Sequence, residues 1–160
     1  MVRTRPAYFR HASGDLPRQM VEIINRQRHR KISSKACRDF TERALQAAAL
    51  GHRAVTIVFV RNAAIKKLNQ QFRGKNYATD VLSFPTIAED FEQIAQAQLG
   101  EVVIAVERAA AQAKESGLTF RNEVQQLILH GLLHLAGYDH ETDQGEMDRI
   151  ELKLRKRLGI

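Results

Sequence analysis

The sequence has 160 residues, of which 44% are hydrophobic and 27% charged, so we expect one globular domain with its own hydrophobic core. No apolar run approaches the ~18 residues of a membrane helix, and the Arg-rich start, MVRTRPAYFRHASGD, lacks the apolar block of a secretory signal. Cys37 is the only cysteine, which excludes an internal disulfide and favours a packing role in a helical stretch. We expect a cytoplasmic protein, with organellar targeting by the basic start as the alternative.

The net charge of +7 is concentrated near the two ends of the chain. In the first 31 residues, only Asp15 and Glu22 oppose the basic side chains Arg3, Arg5, Arg10, Arg18, Arg26, Arg28, Arg30 and Lys31. Such clusters either contact a polyanion or form a solvated surface, and charge alone does not choose between these two interpretations. We interpret residues 1–20 as a basic extension and residues 21–160 as the functional domain.

Strands and helices are mixed along the chain without strict alternation. Apolar and β-branched runs predict strands at 20–25, 54–60, 81–84 and 101–106, the third being cut off by Pro85. Capping residues and glycines predict five helices. These are a helix capped by Ser33 or Ser34 and ending at Gly51, one over 62–72 before Gly74, an Ala-rich one ending at Gly117, one capped by Thr119 with Gly137 past its end, and one begun by a capping box of Asp143 and Glu146. Residues 86–98 are either a loop or a short helix. The pattern predicts a single α+β domain, with one mixed sheet of about four strands and helices packed on it.

The segment HGLLHLAGYDH, residues 130–140, predicts a metal site. Positions i and i+4 lie only about 40° apart around a helix, so His130 and His134 project from one face. A continuing helix would turn His140 away, but Gly137 allows a break that brings it back as a third ligand. Three imidazoles with a fourth position open are typical of a catalytic zinc site, and zinc is favoured over nickel, copper or iron.

This spacing equals that of the metzincin peptidases, whose motif is H-E-x-x-H-x-x-G-x-x-H. Gly131 stands where those enzymes carry their general base. Because glycine cannot accept a proton, the zincin-like geometry is retained and the peptidase mechanism is not.

A polar segment at residues 73–80 lies between a predicted helix and a predicted strand. Arg73 and Lys75 in it could bind phosphate, the arginine in bidentate fashion. An ordinary polar surface loop is the alternative interpretation of this segment.

The segments RGKNYATDVLSFP, LGEVVI and HGLLHLAGYDH, in this order, resemble the YbeY-type endoribonucleases, which take part in ribosomal RNA maturation and ribosome quality control. The resemblance runs from about Val21 to the C-terminus, and it departs from the family pattern at Ala78, commonly Pro, and Glu101, commonly Asp.

The resemblance implies one zinc ion on His130, His134 and His140 and a functional arginine at Arg73. It implies a single-strand-specific endoribonuclease acting at the 3′ end of 16S ribosomal RNA, with the ribosome or its small subunit as partner. Arg73 would stabilise charge on the phosphate, and Arg73 and Lys75 would contact RNA. The general base is not identifiable, since Asp139 and Glu141 fit supporting or surface roles better. Two alternatives stay open, a zinc hydrolase of a non-RNA substrate and a non-catalytic ribosome assembly factor with structural zinc.

Overall fold

The computed structural model describes residues 20–51, 53–86 and 98–160. Residues 1–19 of the expected basic extension and residues 87–97 of the ambiguous stretch lie outside this part of the chain. In chain order the elements are β1 (Val21–Asn25), α1 (Ser34–Ala47), β2 (Ala54–Val60), α2 (Asn62–Arg73), β3 (Val81–Pro85), β4 (Gln98–Ala105), α3 (Val106–Glu115), α4 (Phe120–Leu135) and α5 (Glu146–Leu158). None of the helices in the described ranges has the length and apolar character needed to cross a membrane.

The four strands form one mixed sheet in the order β1-β2-β4-β3. Strands β1, β2 and β4 run parallel, and β3 pairs antiparallel with β4, from Val81 opposite Ile104 to Pro85 opposite Gly100. The mixed sheet predicted from the sequence is therefore confirmed. Two predicted bounds were wrong: β4 begins at Gln98 and gives way to a helix at Val106, and Pro85 belongs to β3, where an edge position tolerates proline.

Helices cover both faces of the sheet because the side chains of each strand alternate between them. One face packs against α1, α3, α4 and α5, in a core that includes Ile57, Phe59, Val102 and Ile104. The other face packs against α2 through Val58, Val60, Leu82 and Val103. Cys37 packs at the border of the first core, and burial raises the pKa of its thiol to about 11. The thiol is therefore protonated at neutral pH, which agrees with a packing role.

The helix ends follow the predicted capping residues, with two exceptions. Helix α1 ends at Ala47, four residues before the predicted Gly51, because Ala49 and not a glycine takes the left-handed conformation past its end, with φ +59°. Ser33 and Thr119 accept hydrogen bonds from backbone N–H groups in the first turns of α1 and α4. The predicted capping box at α5 was wrong in its register, because Gly145 is the residue preceding the helix. The Asp143 carboxylate still accepts the N–H of Met147, 2.8 Å away, and so satisfies a donor of the first turn.

Helix α4 lies unusually close to the sheet at Gly131. A Cβ atom at this position would lie 2.5 Å from Cγ1 of the buried Val102 and 3.3 Å from Oγ of Ser83. The Ser83 hydroxyl donates to the Gly131 carbonyl oxygen at 3.2 Å, which ties β3 to the same turn of the helix. Any larger side chain would force Val102 and the strand to shift, so packing as well as sequence opposes a glutamate of the metzincin kind.

We predict that Gly131→Ala lowers the free energy of unfolding by about 1–3 kcal/mol, because a stiff valine side chain and a strand must shift to admit one methyl group. The direction of the change in unfolding free energy is informative. Helix propensity alone would make Gly131→Ala stabilising, because alanine is a better helix former than glycine by about 1 kcal/mol. Denaturant unfolding of the metal-free protein measures the change. Arg121→Ala, on the exposed side of α4, is the control and should change stability by less than about 0.5 kcal/mol. A Gly131→Ala protein as stable as wild type would contradict this account of the packing.

Candidate metal centre

Three histidine side chains converge at the C-terminal end of α4. His130 and His134 project from one face of the helix, with their Nε2 atoms 3.1 Å apart. The ring of His140 lies 5.6 Å from that of His130 and 5.2 Å from that of His134, centroid to centroid. One nitrogen from each ring falls within 4.8 Å of the others. The predicted three-His cluster is therefore present, and it can hold a metal ion.

A helix break returns His140 to the cluster, as the sequence predicted. Helix α4 ends at Leu135, and Gly137 follows with φ +101°, a backbone conformation that residues other than glycine rarely adopt. The turn beyond it is held by Asp139, whose Oδ1 accepts the N–H of Glu141 at 3.0 Å. Asp139 therefore stabilises the turn that carries His140, in agreement with the supporting role considered from the sequence.

Glu151, on α5, is a residue of the site that the sequence analysis missed. It is 6% exposed, and its Oε2 lies 2.9 Å from Nδ1 of His130, while Arg155 binds its other oxygen. Burial raises its pKa, but hydrogen bonds and charge from His130 and Arg155 outweigh burial and hold the pKa below its ordinary value. One signal was available in the sequence: Glu151 lies four residues after Met147 and three before Leu154, on the apolar stripe of the last helix.

The chemistry of these donors fits a transition-metal ion. A carboxylate only accepts hydrogen bonds, so Glu151 places the proton of His130 on Nδ1 and leaves the Nε2 lone pair facing the other two rings. Burial, together with the neighbouring His130 and His140, lowers the pKa of His134, and this favours the neutral imidazole that binds metals. Ligands at ~2.1 Å in a tetrahedron lie roughly 3.4 Å apart, close to the observed separation of the Nε2 atoms. Among the described residues the cluster contains three ligands, which leaves a tetrahedral ion one open position.

The structure brings Arg73 to this cluster from the far side of the sheet. Arg73 ends α2, and its guanidinium lies 3.9 Å from Oε1 of Glu141, the residue after His140. Both side chains are about half exposed, and a pair this long and this solvated constrains the arginine little. The guanidinium therefore lies beside the turn at residues 137–141, which we call the histidine turn, and is free to reorient toward a bound anion.

The histidines and Arg73 line one open cleft with a volume of about 890 Å³. The cleft is lined by the antiparallel edge strand β3, by the histidine turn, and by the loop between α2 and β3, which we call its loop wall. Lys75 lines the loop wall, and Glu101, which is 5% exposed, lies on β4 at the same cleft. Arg73 and Lys75 are thus both placed where an anionic ligand of the histidine cluster would meet them.

Comparison with known proteins identifies the family. The family model described as Endoribonuclease YbeY matches residues 22–159 of the chain. Among curated relatives named Endoribonuclease YbeY, the protein of Solibacter usitatus is 36% identical, over 95% of this chain and 86% of its own length. The protein of Geobacter metallireducens is 35% identical, over 88% of this chain and 94% of its own length.

A solved structure supports the same assignment. The solution structure of TM1509 from Thermotoga maritima superposes with a TM-score of 0.59 at 32% sequence identity, covering 87% of this chain and 89% of that one. Sequence, fold and the three-His cluster agree with the resemblance carried by the motifs. The chain belongs to the YbeY endoribonuclease family.

Proposed function

We propose that the protein is a zinc-dependent endoribonuclease that cleaves single-stranded RNA during maturation of the 16S ribosomal RNA 3′ end and in ribosome quality control, in the cytoplasm of a bacterium. The observation that carries the proposal is the meeting of the three-His cluster and Arg73 in one cleft. Membership of a family whose members are named endoribonucleases supports RNA as the substrate. Residues 21–160 are the catalytic domain in this proposal, and residues 1–20 are a basic extension.

His130, His134 and His140 would hold one zinc ion, with Glu151 fixing the orientation and tautomer of His130. Zinc bound there would supply Lewis-acid activation of water and of a phosphoryl oxygen. The protein contributes three imidazoles, a carboxylate that keeps one of them aligned, and a cleft open to a long substrate.

Arg73 is the phosphate-binding residue in this proposal. Its planar guanidinium can donate two parallel hydrogen bonds to phosphate oxygens, on which charge accumulates as the phosphodiester is attacked. The contact of Arg73 with Glu141 is long and solvated, so a phosphate can displace that carboxylate at little cost. Lys75, two residues further along the same wall, would bind an adjacent phosphate of the strand as a point charge.

The two alternatives open at the level of sequence are less well supported. A peptidase of the metzincin kind requires a glutamate at position 131, where this chain has a glycine and a Cβ atom would lie 2.5 Å from Cγ1 of Val102. A purely structural zinc site normally has four protein ligands, whereas the described part of the chain supplies three to this cluster. Cleavage of a protein substrate would support the first alternative, and zinc binding without any hydrolysis would support the second.

We predict that two substitutions separate zinc binding from charge stabilisation. His134→Ala should abolish both zinc retention and cleavage of an unstructured RNA. Arg73→Ala should keep its zinc and lose roughly a hundredfold or more in cleavage rate, as expected when a transition-state charge interaction is removed. Arg73→Lys should recover only part of the rate, because an ammonium group lacks the bidentate geometry.

The measurements are initial cleavage rates and zinc content by metal analysis on the same preparations. Arg108→Ala, an exposed arginine on α3, is the matched control and should behave as wild type. Full activity in Arg73→Ala would show that the arginine has no part in the reaction, and zinc retained by His134→Ala would contradict the proposed ligand set.

Glu151 provides a test of the metal site that does not depend on activity. We predict that Glu151→Gln weakens zinc affinity by about tenfold to a hundredfold, because an uncharged amide raises the basicity of His130 less and can bind the ring in the wrong tautomer. Competition with a chromophoric chelator measures the affinity. Glu146→Gln removes an exposed acid from the same helix and should leave affinity unchanged, and equal affinity in both variants would show that Glu151 does not support the site.

The basic extension should bind RNA through charge alone. We predict that deletion of residues 1–20 weakens RNA binding and reduces the salt slope of log K by roughly 0.7 for each phosphate of a single strand that the extension neutralises in the wild type, with unchanged zinc content. A full-length chain with Arg3, Arg5, Arg10 and Arg18 replaced by glutamine is the control for length and should match the deletion. Wild-type affinity in both proteins, measured by fluorescence anisotropy across a salt series, would leave the extension with no role in RNA binding.

A further inference from the structure

Tyr77 presents an aromatic ring at the wall of the cleft. It lies in the loop between α2 and β3 and is 54% exposed. The other large apolar side chains in the described ranges that are similarly exposed, Met20 and Leu152, do not line the cleft. A single exposed aromatic residue is common on protein surfaces, so its position and its support carry the argument.

The backbone that carries Tyr77 is held by a buried side chain. Asn69, on α2, is 1% exposed, and its Nδ2 donates to the Tyr77 carbonyl oxygen at 2.9 Å. The backbone carbonyl oxygen of Asn69 accepts the N–H of Lys75 at 3.3 Å, so this one residue holds the loop at two points. At the other end, the Asp80 carbonyl oxygen accepts the N–H of Ala105 at 2.8 Å and fixes the start of β3. The loop therefore holds the Tyr77 backbone in a defined position, while its ring remains in solvent.

The ring of Tyr77 has no specific partner among the described residues. Within the part of the chain that the structure describes, it takes part in no side-chain hydrogen bond, aromatic pair or cation–π contact. Arg73, at the end of α2, and Lys75, in the same loop as Tyr77, place two cationic groups along the cleft. An aromatic face beside cationic side chains is the combination that binds single-stranded nucleic acid, because the ring stacks on a base while the cations contact the backbone phosphates.

We propose that Tyr77 stacks on one unpaired base of the RNA whose phosphate Arg73 binds. This inference rests on the proposed function and adds to it a physical basis for selecting single strands. Both faces of a base inside a duplex are covered by neighbouring bases, so Tyr77 can stack only on a nucleotide that has left the helix. Every base has a π face, so the Tyr77 ring can stack on any of the four bases. The tyrosine hydroxyl group is not needed for stacking.

The test combines substitutions at Tyr77 with an RNA that lacks one base. On a short unstructured RNA, Tyr77→Ala should lower kcat/KM and binding affinity by about fivefold to a hundredfold, the usual effect of removing one stacking side chain. Tyr77→Phe and Tyr77→Trp should retain both, and Tyr77→Leu should fall between them and alanine. Leu152→Ala, an equally exposed residue away from the cleft, is the control and should match wild type.

A set of RNAs with an abasic ribose at each position in turn then identifies the stacked base. At one position the abasic RNA should reduce kcat/KM and affinity of the wild type to the values of Tyr77→Ala. The same RNA should leave the values of Tyr77→Ala unchanged, because both changes remove the same interaction. Annealing a complementary strand should reduce cleavage by Tyr77→Ala less than cleavage by wild type. A merely structural role for Tyr77 would produce neither effect.

Failure of the stacking inference and failure of the proposed function are distinguishable. If wild type cleaves RNA and Tyr77→Ala matches it in rate and affinity, the stacking inference is wrong and the proposed function stands. If wild type binds RNA without cleaving it, the proposed function is wrong, and the anisotropy measurements on the same variants and abasic RNAs decide stacking by themselves. If wild type neither binds nor cleaves RNA, both are overturned.

Discussion

The contact between α4 and the sheet at Gly131 is the constraint on which the rest of the site depends. Because no side chain separates the helix from Val102 and Ser83 there, α4 lies directly against β4 and the edge strand β3. His130, one residue before the contact, and His134, one turn after it, are thereby placed beside the open edge of the sheet. A bulkier residue would lift the helix and move both rings away from the cleft, so the same packing that fixes the fold fixes the metal ligands.

The last helix completes the site from behind. Glu151 lies among the apolar residues of α5 and meets His130 in the interior, where burial opposes its charge and Arg155 compensates for it. Breaking a buried charged contact is costly, since it leaves the remaining partner uncompensated. The packing of α5 is therefore coupled to the orientation of a metal ligand, so the stability of the C-terminal helix and the geometry of the site are linked.

The cleft divides its chemistry between two walls that are far apart in sequence. The end of α4 and the histidine turn contribute nitrogen ligands, and the end of α2 with the loop after it contributes cations and an aromatic ring. The edge strand β3 also lines the cleft, and no further strand among the described residues pairs with its outer side. An open edge of this kind leaves room for an extended polymer to pass both walls, which a closed pocket would not allow.

The sequence by itself determined the elements and the local geometry of the metal ligands. Strand and helix periodicity, the caps at Ser33 and Thr119 and the break at Gly137 all depend on neighbours within a few residues, and hydrogen bonding within that range decides them. The spacing of His130, His134 and His140 could be read for the same reason. The ends of strands that are set by pairing with a neighbouring strand, such as Gln98 at the start of β4, could not be predicted from the sequence.

Only the tertiary structure decided which distant residues meet. The contact of Glu151 with His130, the closeness of Arg73 to Glu141 and the absence of space at Gly131 each join segments separated by long stretches of chain. Local propensity does not encode such distances, because they follow from how helices pack on a particular sheet order. The exposure of Tyr77 beside the cleft belongs to the same class, since its position depends on the buried Asn69, whose role only the folded chain reveals.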